Sequence, residues 1–427
     1  MKNILSKTLL SYLFVNVVYI AQSVAATLVV CSTCEITSIH TAIEIAAHGD
    51  ILIIKKGVYR EGQIVVDKSL TIRGEDYPIL DGESDTEIMT ITAHNVTIEG
   101  LHFQNVGTSY MEDRAAIRAK RVHNFLIQNN IITNAFFGVY LEHSRNGKVV
   151  NNIIRGEAQE EMSSGNAIHI WYCKNVIIEG NKLSHHRDGI YLEFVDNSRI
   201  VDNISEYNIR YGLHFMFSDG NDFSYNIFQY NGSGVAVMFS KEVNMWNNRF
   251  QNNWGKASYG LLLKEIYDTE IRNNIFLENT TGIFVEGSTR VSYIQNELSH
   301  NGWAMKIMGG CLDNAINQNN FIGNTFDLSV NNNINENNFD GNYWSEYSGY
   351  DLDNDGIGDV PYRPVKLFNF IVNQTPEALV LMRSPFVDLI NFSERVSPIF
   401  TPKNVLDHSP LMKYNKNKTN AGNTKSL

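Results

Sequence analysis

The side chains of this sequence best suited to bind a transition metal are one imidazole and two thioethers. His214 and Met216 stand two residues apart, so a β-strand would place both side chains on one face. Met238 follows Met216 by 22 residues, the length of a repeat described below. Imidazole and thioether ligands suit Cu(I) better than Mg²⁺ or Ca²⁺. The pattern predicts a copper site formed by His214, Met216 and Met238.

The repeat also limits which other residues could join this site. His169 would lie two coils below His214, about 10 Å away, so we do not expect it to share the ion. An alternative interpretation is that the two methionines fill an apolar groove under a loop, together with Phe217 and Phe239, because methionine is usually a core residue.

A second candidate metal site is the acidic segment from Asp351 to Asp359. Its aspartates alternate with other residues and precede a glycine, a pattern in which carboxylate oxygens wrap a hard cation. The twelfth position is Tyr362 rather than glutamate, so the segment is not a complete EF-hand loop. We expect a structural Ca²⁺ site with Asp351, Asp353, Asp355 and Asp359 as ligands; the alternative is an Asp-rich turn.

Two of the four cysteines form a short motif near the N-terminus. Cys31 and Cys34 form a Cys-x-x-Cys motif, for which a disulfide, a redox pair and a metal clip are all open. Cys173 and Cys311 lie about six coils apart and should not pair with each other.

A polysaccharide-cleaving site is the main enzymatic alternative. The segment 185–188 and Glu193 could contribute acidic and basic groups, and Glu142 faces the same way. We place Glu142 and Glu193 about three coils apart, roughly 14 Å, which exceeds the carboxylate separation of glycosidases. We therefore interpret these residues as a solvated charged face and expect a protein that is not an enzyme.

A repeat of about 22 residues must position all of these groups. An asparagine followed by alternating apolar residues recurs, with most gaps of 22 or 23 residues. Such a period, with period-2 alternation and Asn/Gly turns, predicts a right-handed parallel β-helix of three short strands per coil. We expect the asparagines to stack into a structural ladder. They are Asn130, Asn152, Asn181, Asn203, Asn226, Asn248, Asn274, Asn296, Asn319 and Asn337.

The two ends of the chain lack the 22-residue repeat and differ from it in composition. Residues 1–26 read as a secretory signal peptide, because two lysines precede a short apolar run and small residues follow it. Residues 27–340 should form the β-helix, with a short helix, capped by Ser38 and ended by Gly49, covering its first coil. The net charge is −11 and no basic stripe is visible, so nucleic acid is not an expected partner.

After the repeats we expect a partly helical extension over residues 341–412 and a disordered tail over 413–427. Apolar residues at helical spacing in segment 376–396 predict amphipathic helices that need a groove or partner. They include Leu379, Met382, Phe386 and Leu389.

Several of these segments together resemble the NosD family, the periplasmic β-helix proteins of nitrous oxide reductase maturation. The resemblance covers nearly the whole mature chain and rests on these segments: 211–218, 235–240, 259–264, 341–347, 351–359, 361–365 and 383–387. It implies an accessory role in assembling the copper–sulfur centre of the reductase, with His214, Met216 and Met238 as copper contacts. The Cys31–Cys34 motif is not a feature that we can place in the family.

The resemblance also implies partners. They would be an ABC transporter made of a permease and an ATPase, a copper-delivering lipoprotein, and nitrous oxide reductase itself. The protein would be periplasmic and held at the inner membrane by the permease, with segment 376–396 as its docking piece. The alternatives are a polysaccharide-active or carbohydrate-binding β-helix protein and a metal-free scaffold.

Overall fold

The computed structural model describes residues 25–109, 111–331, 336–396 and 405–415, without the side chains of residues 395 and 396. The predicted signal peptide, apart from its last two residues, and positions 416–427 of the predicted tail lie outside the described residues. Within the described ranges, no helix is long and apolar enough to cross a membrane.

The chain folds as a parallel β-helix, as predicted. From the second coil to the last but one, each coil contributes one strand to sheet A, then one to sheet B, then one to sheet C; the first coil adds only a sheet A strand and the last only strands of sheets A and B. Equivalent strands of successive coils pair in parallel.

The fourteen strands of sheet A are Thr27–Val30, Ile51–Ile54, Thr71–Gly74, Thr97–Glu99, Leu126–Gln128, Lys148–Val150, Ile177–Glu179, Arg199–Val201, Asp222–Ser224, Asn244–Trp246, Tyr267–Arg272, Thr289–Ile294, Leu312–Asn317 and Glu336–Asp340. The thirteen strands of sheet B are Val58–Tyr59, Ile79–Asp81, His102–Gln104, Ile131–Thr133, Ile153–Arg155, Lys182–Ser184, Ile204–Glu206, Ile227–Gln229, Arg249–Gln251, Ile275–Leu277, Glu297–Ser299, Asn320–Ile322 and Tyr343–Trp344. The twelve strands of sheet C are Ile64–Val66, Met89–Ile91, Ala115–Lys120, Phe137–Glu142, Ile168–Trp171, Asp188–Glu193, Tyr211–Met216, Ser233–Met238, Tyr259–Lys264, Thr281–Glu286, Trp303–Ile307 and Phe326–Val330.

The asparagine ladder holds the coils together between sheets A and B. From Asn130 to Asn319, each side-chain amide donates to the side-chain oxygen of the next rung, as in the Asn130–Asn152 hydrogen bond of 3.1 Å. The prediction that Asn337 is the last rung is wrong. Asn319 donates instead to Asn342, 23 residues on, and Asn337 pairs with Asn314 in a separate short ladder. The 18-residue gap to Asn337 had already departed from the coil length.

A short helix and a returning segment cover the two ends of the core. Helix α1 spans Ile39–Ile45, and the side-chain oxygen of Ser38 accepts a hydrogen bond from the Thr41 amide, as predicted. The helix ends before Gly49, because Ala46 already has an extended backbone. At the other end the buried Asp407 carboxylate accepts from the amide nitrogen and side chain of Asn342, both at 3.1 Å, and so terminates the ladder.

The C-terminal extension packs on the last coils of sheet C. Helix α2 spans Leu367–Gln374 and helix α3 spans Pro385–Val396, with a 3₁₀ turn at Pro376–Leu381 between them. Phe368 and Val372 of α2 and Val387 of α3 bury against Phe326 of sheet C. At the start of the predicted tail, Asn415 is hydrogen-bonded to Asn320, and Tyr414 to Glu297.

Candidate metal site

The outer face of sheet C carries the candidate copper ligands. Along the strand Tyr211–Met216, Leu213 and Phe215 are fully buried in the core, so the alternate residues His214 and Met216 lie on the outer face. Met216 and Met238 are register partners on adjacent strands. Gly212 permits this close stacking, because a Cβ there would lie 2.7 Å from the carbonyl oxygen of Gly234 on the next coil.

His214 is buried although it projects from the outer face. Its side chain is 2% exposed, and neither ring nitrogen has a hydrogen-bond partner in the described structure. The rings of Tyr191 and Tyr211 contact it, with centroids 5.0 and 4.8 Å away. Burial, helped by the positive charges of Arg210 and Arg187, lowers the pKa of His214 to about 3. The imidazole is therefore neutral at physiological pH and has a free lone pair.

The thioethers are more accessible than the imidazole. Met216 and Met238 are both partly buried. The Tyr191 hydroxyl contacts the sulfur of Met216 at 3.8 Å. In the same column Glu193 lies below Met216 and Lys264 lies above Met238, where Lys264 pairs with Glu286 at 3.8 Å.

The strand register confirms the predicted distance of His169 from the site. Tyr191 separates His169 from His214, so the two imidazoles are two coils apart, as predicted. The Nδ1 of His169 is already engaged, 2.9 Å from the Asn166 amide nitrogen. Tyr191 was not among the predicted site residues, although its place in the repeat directly below His214 was a usable signal.

Glu142 and Glu193, the carboxylates of the polysaccharide alternative, lie closer together than predicted. Glu142 and Glu193 both register with Trp171, so they are two coils apart and the prediction of three is wrong. The 29-residue gap before Asn181 is one coil enlarged by a loop, not an extra coil. Glu142 forms ion pairs with Arg118 at 3.5 Å and Lys120 at 3.6 Å.

Three of the four predicted calcium ligands lie together. One carboxylate oxygen from each of Asp351, Asp353 and Asp355 lies within 4.8 Å of the others. Asp351 also accepts hydrogen bonds from the Asp355 and Gly356 amides. Asp359 is outside this group, and its carboxylate accepts from the Leu352 amide at 2.8 Å.

The predicted cysteine motif and the predicted docking residues lie near opposite ends of the described chain. Cys31 and Cys34 are joined by a disulfide in the loop before α1. The predicted docking residues are exposed to between 38 and 62% of their surface: Leu379, Met382, Phe386 and Leu389.

The sequence of this chain matches a known protein family. Residues 158–349, which include the outer-face site, match the family model described as periplasmic copper-binding protein (NosD). A Pseudomonas aeruginosa protein named "Probable ABC transporter binding protein NosD" is 32% identical over 371 residues, covering 82% of this chain and 86% of that protein. A Stutzerimonas stutzeri protein of the same name is 26% identical over 373 residues, covering 83% and 85%.

Solved structures show likeness in fold. A family 28 exopolygalacturonase of Yersinia enterocolitica aligns with a TM-score of 0.60 at 12% identity, covering 74% of this chain and 78% of that one. At this identity the similarity indicates a shared parallel β-helix and carries no argument about activity.

Proposed function

Because this chain belongs to the NosD family of periplasmic copper-binding proteins, we propose that it receives Cu(I) at His214, Met216 and Met238 and passes it to nitrous oxide reductase. In this role it is an accessory protein for assembly of the copper–sulfur centre and does not itself catalyse a reaction.

The proposal rests mainly on the His214 ring, whose two nitrogens are buried without a hydrogen-bond partner among the described residues. A buried polar atom without a partner costs free energy, on the order of 1–3 kcal/mol, and His214 has two such atoms. A ligand that binds one nitrogen would offset part of that cost. The sulfurs of Met216 and Met238 lie on the adjoining positions of the same face, so the available donor set is soft and suits Cu(I).

The electrostatics of the site favour transfer over storage. All three donors are neutral, so they do not compensate the charge of the ion. Arg187 and Arg210 already place positive charge near His214. A cation held by three neutral ligands is easier to release than one held by thiolates or carboxylates. The partly exposed methionines give an acceptor access to the ion.

We further propose that the C-terminal helices attach the protein to the permease of an ABC transporter. The support is the exposed apolar surface of segment 376–396, where Phe386, Leu389 and Phe392 of α3 are 54 to 63% exposed. Exposed apolar patches of this kind mark interaction sites. The two relatives bear a name that refers to ABC transporter binding. The copper-delivering lipoprotein would supply the site with Cu(I).

The test of the proposed function is an anaerobic Cu(I) titration of the mature protein, in competition with a colorimetric Cu(I) chelator. The expected result is about one ion per chain, lost in His214→Leu. His169→Leu is the matched control, because His169 is a second outer-face imidazole with its Nδ1 already engaged. Absence of Cu(I) binding by the wild-type protein, or equal binding by His214→Leu, would contradict the proposal.

A further inference from the structure

Aromatic side chains occupy corner positions of the β-helix where the backbone is left-handed. Most other corners of this kind hold asparagine, glycine or another polar residue, which tolerate a positive φ better than aromatic residues do. Examples between sheets A and B are Asn129, Asn151, Gly180, Asn247 and Asn273. The turn geometry alone would therefore not select tyrosine or phenylalanine.

The aromatic residues form two stacks, one at each end of the sheet C strands. The first stack follows these strands and consists of His143, Tyr172, Phe194, Phe217 and Phe239, with successive ring centroids 5.1, 4.6, 5.4 and 5.1 Å apart. The second stack precedes them and consists of His185, Tyr207 and Tyr230, with centroids 5.6 and 5.2 Å apart. We call the two stacks together the aromatic frame.

The aromatic frame flanks the candidate copper site on both sides and extends beyond it to the strands Ile168–Trp171 and Asp188–Glu193. Phe217 directly follows Met216, and Phe239 directly follows Met238. On the other side, Tyr207 precedes the strand Tyr211–Met216 within the same coil. In later coils the corners return to polar residues or glycine, such as Glu265 and Asn252.

Most rings of the frame are exposed, whereas His185 and Phe239 are partly buried. Tyr172, Phe194 and Phe217 are 45, 37 and 44% exposed, and Tyr207 and Tyr230 are 50 and 43% exposed. Stacking between rings stabilises the corners, but it does not explain why apolar surface faces solvent on both sides of one site. Aromatic residues are the type enriched in protein interfaces. We propose that the aromatic frame is the docking surface for the protein that accepts Cu(I) from this site, an inference that rests on the proposed function.

The exposed area and the charges of the aromatic frame indicate what kind of surface the partner must have. An aromatic side chain carries about 200 Å² of surface, so these five rings offer roughly 400 Å². This is about half of what each partner buries in a stable complex, so the encounter is transient. Two charged groups inside the frame are paired, Arg210 with Glu161 at 3.4 Å and Arg187 with Asp188 at 3.5 Å. The exposed rings require an apolar matching surface on the acceptor.

The test compares two routes for removing Cu(I). The double variants Phe194→Asn/Phe217→Asn and Tyr207→Asn/Tyr230→Asn remove rings while suiting the left-handed backbone. Tyr225→Asn is the matched control, because Tyr225 is a left-handed, 52% exposed corner residue between sheets A and B. Each protein is loaded with Cu(I) and mixed with copper-free nitrous oxide reductase or with the small chelator bathocuproine disulfonate.

The expected result is that both frame variants transfer Cu(I) to the reductase at least tenfold more slowly than wild type and Tyr225→Asn, while the chelator extracts Cu(I) equally fast from all four. Equal transfer to the reductase would overturn the inference. A parallel change in chelator extraction would also overturn it, since the rings would then shape the site itself. Self-association of the wild type that the frame variants lose would assign the frame to a second copy instead. Failure of wild type to bind Cu(I) is a separate result, which contradicts the proposed function.

Discussion

Met216 and Met238 are register partners on adjacent strands of sheet C, so the backbone ladder holds their side chains one strand spacing apart. The site therefore depends on rigid strands rather than on loops. The remaining donor, His214, is two residues from Met216 on the same strand.

Replacing either methionine by leucine should weaken Cu(I) binding at least about tenfold, equivalent to about 1.4 kcal/mol. Leucine conserves volume, so the fold should persist, but it offers no sulfur. The measurement is a competition titration with a Cu(I) chelator. Met245→Leu, in the buried core, is the control and should bind as wild type does. Unchanged affinity in Met216→Leu and Met238→Leu would remove the thioethers from the site.

His214→Leu should raise the free energy of unfolding by about 1 kcal/mol, because it removes two buried nitrogens that lack partners. The same variant should lose Cu(I) binding. His169→Leu should instead lower stability, since it leaves the Asn166 amide without its partner. Urea denaturation followed by circular dichroism measures both. A less stable His214→Leu protein would indicate that the ring is satisfied in a way the structure does not describe.

Asp327 should make stability depend on pH. Burial raises the pKa of its carboxyl to about 6, above the value near 3.9 of an unfolded chain. Between these values the folded state binds more protons than the unfolded state, so the stability contributed by Asp327 is lost as the pH rises from about 4 to about 6. Asp327→Asn should therefore be more stable than wild type above pH 6, by on the order of 2 kcal/mol. A difference that does not vary between pH 4 and pH 7 would be evidence against this.

The acidic loop should bind Ca²⁺ through Asp351, Asp353 and Asp355. Millimolar Ca²⁺ should then raise the melting temperature, and Asp353→Asn/Asp355→Asn should abolish the rise. Differential scanning fluorimetry with and without EGTA measures it. Asp76→Asn, an exposed aspartate far from the loop, should keep the response. If Ca²⁺ shifts the double variant as much as wild type, the segment is only an Asp-rich turn.

Replacing the exposed apolar residues of α3 should weaken attachment to the transporter. Phe386→Gln/Leu389→Gln should reduce co-purification with the permease and its ATPase, because the apolar contact is lost while helix formation is retained. Met162→Gln, which alters a 95% exposed residue in a distant loop, is the control. Co-purification at the wild-type level by the α3 variant would place the contact elsewhere.

The sequence period predicted the coil and thus the pairing of Met216 with Met238, because each strand must repeat at the same point of every turn. It misplaced the last rung, because Asn337 belongs to a second ladder while Asn342 stands at the regular interval of 23 residues. It also overestimated the spacing of Glu142 and Glu193, between which one coil is lengthened by a loop. The burial of His214 was not predictable. It depends on how the rings of Tyr191 and Tyr211 lie over the imidazole, which strand alternation does not specify.

The most direct test of the central claim is the X-ray absorption spectrum of the protein loaded with one equivalent of Cu(I). The account predicts a copper ion bound by one imidazole nitrogen and two thioether sulfurs, with one sulfur lost in Met238→Leu. A spectrum that lacks sulfur ligands, or one that does not change in Met238→Leu, would contradict a copper site on the outer face of sheet C.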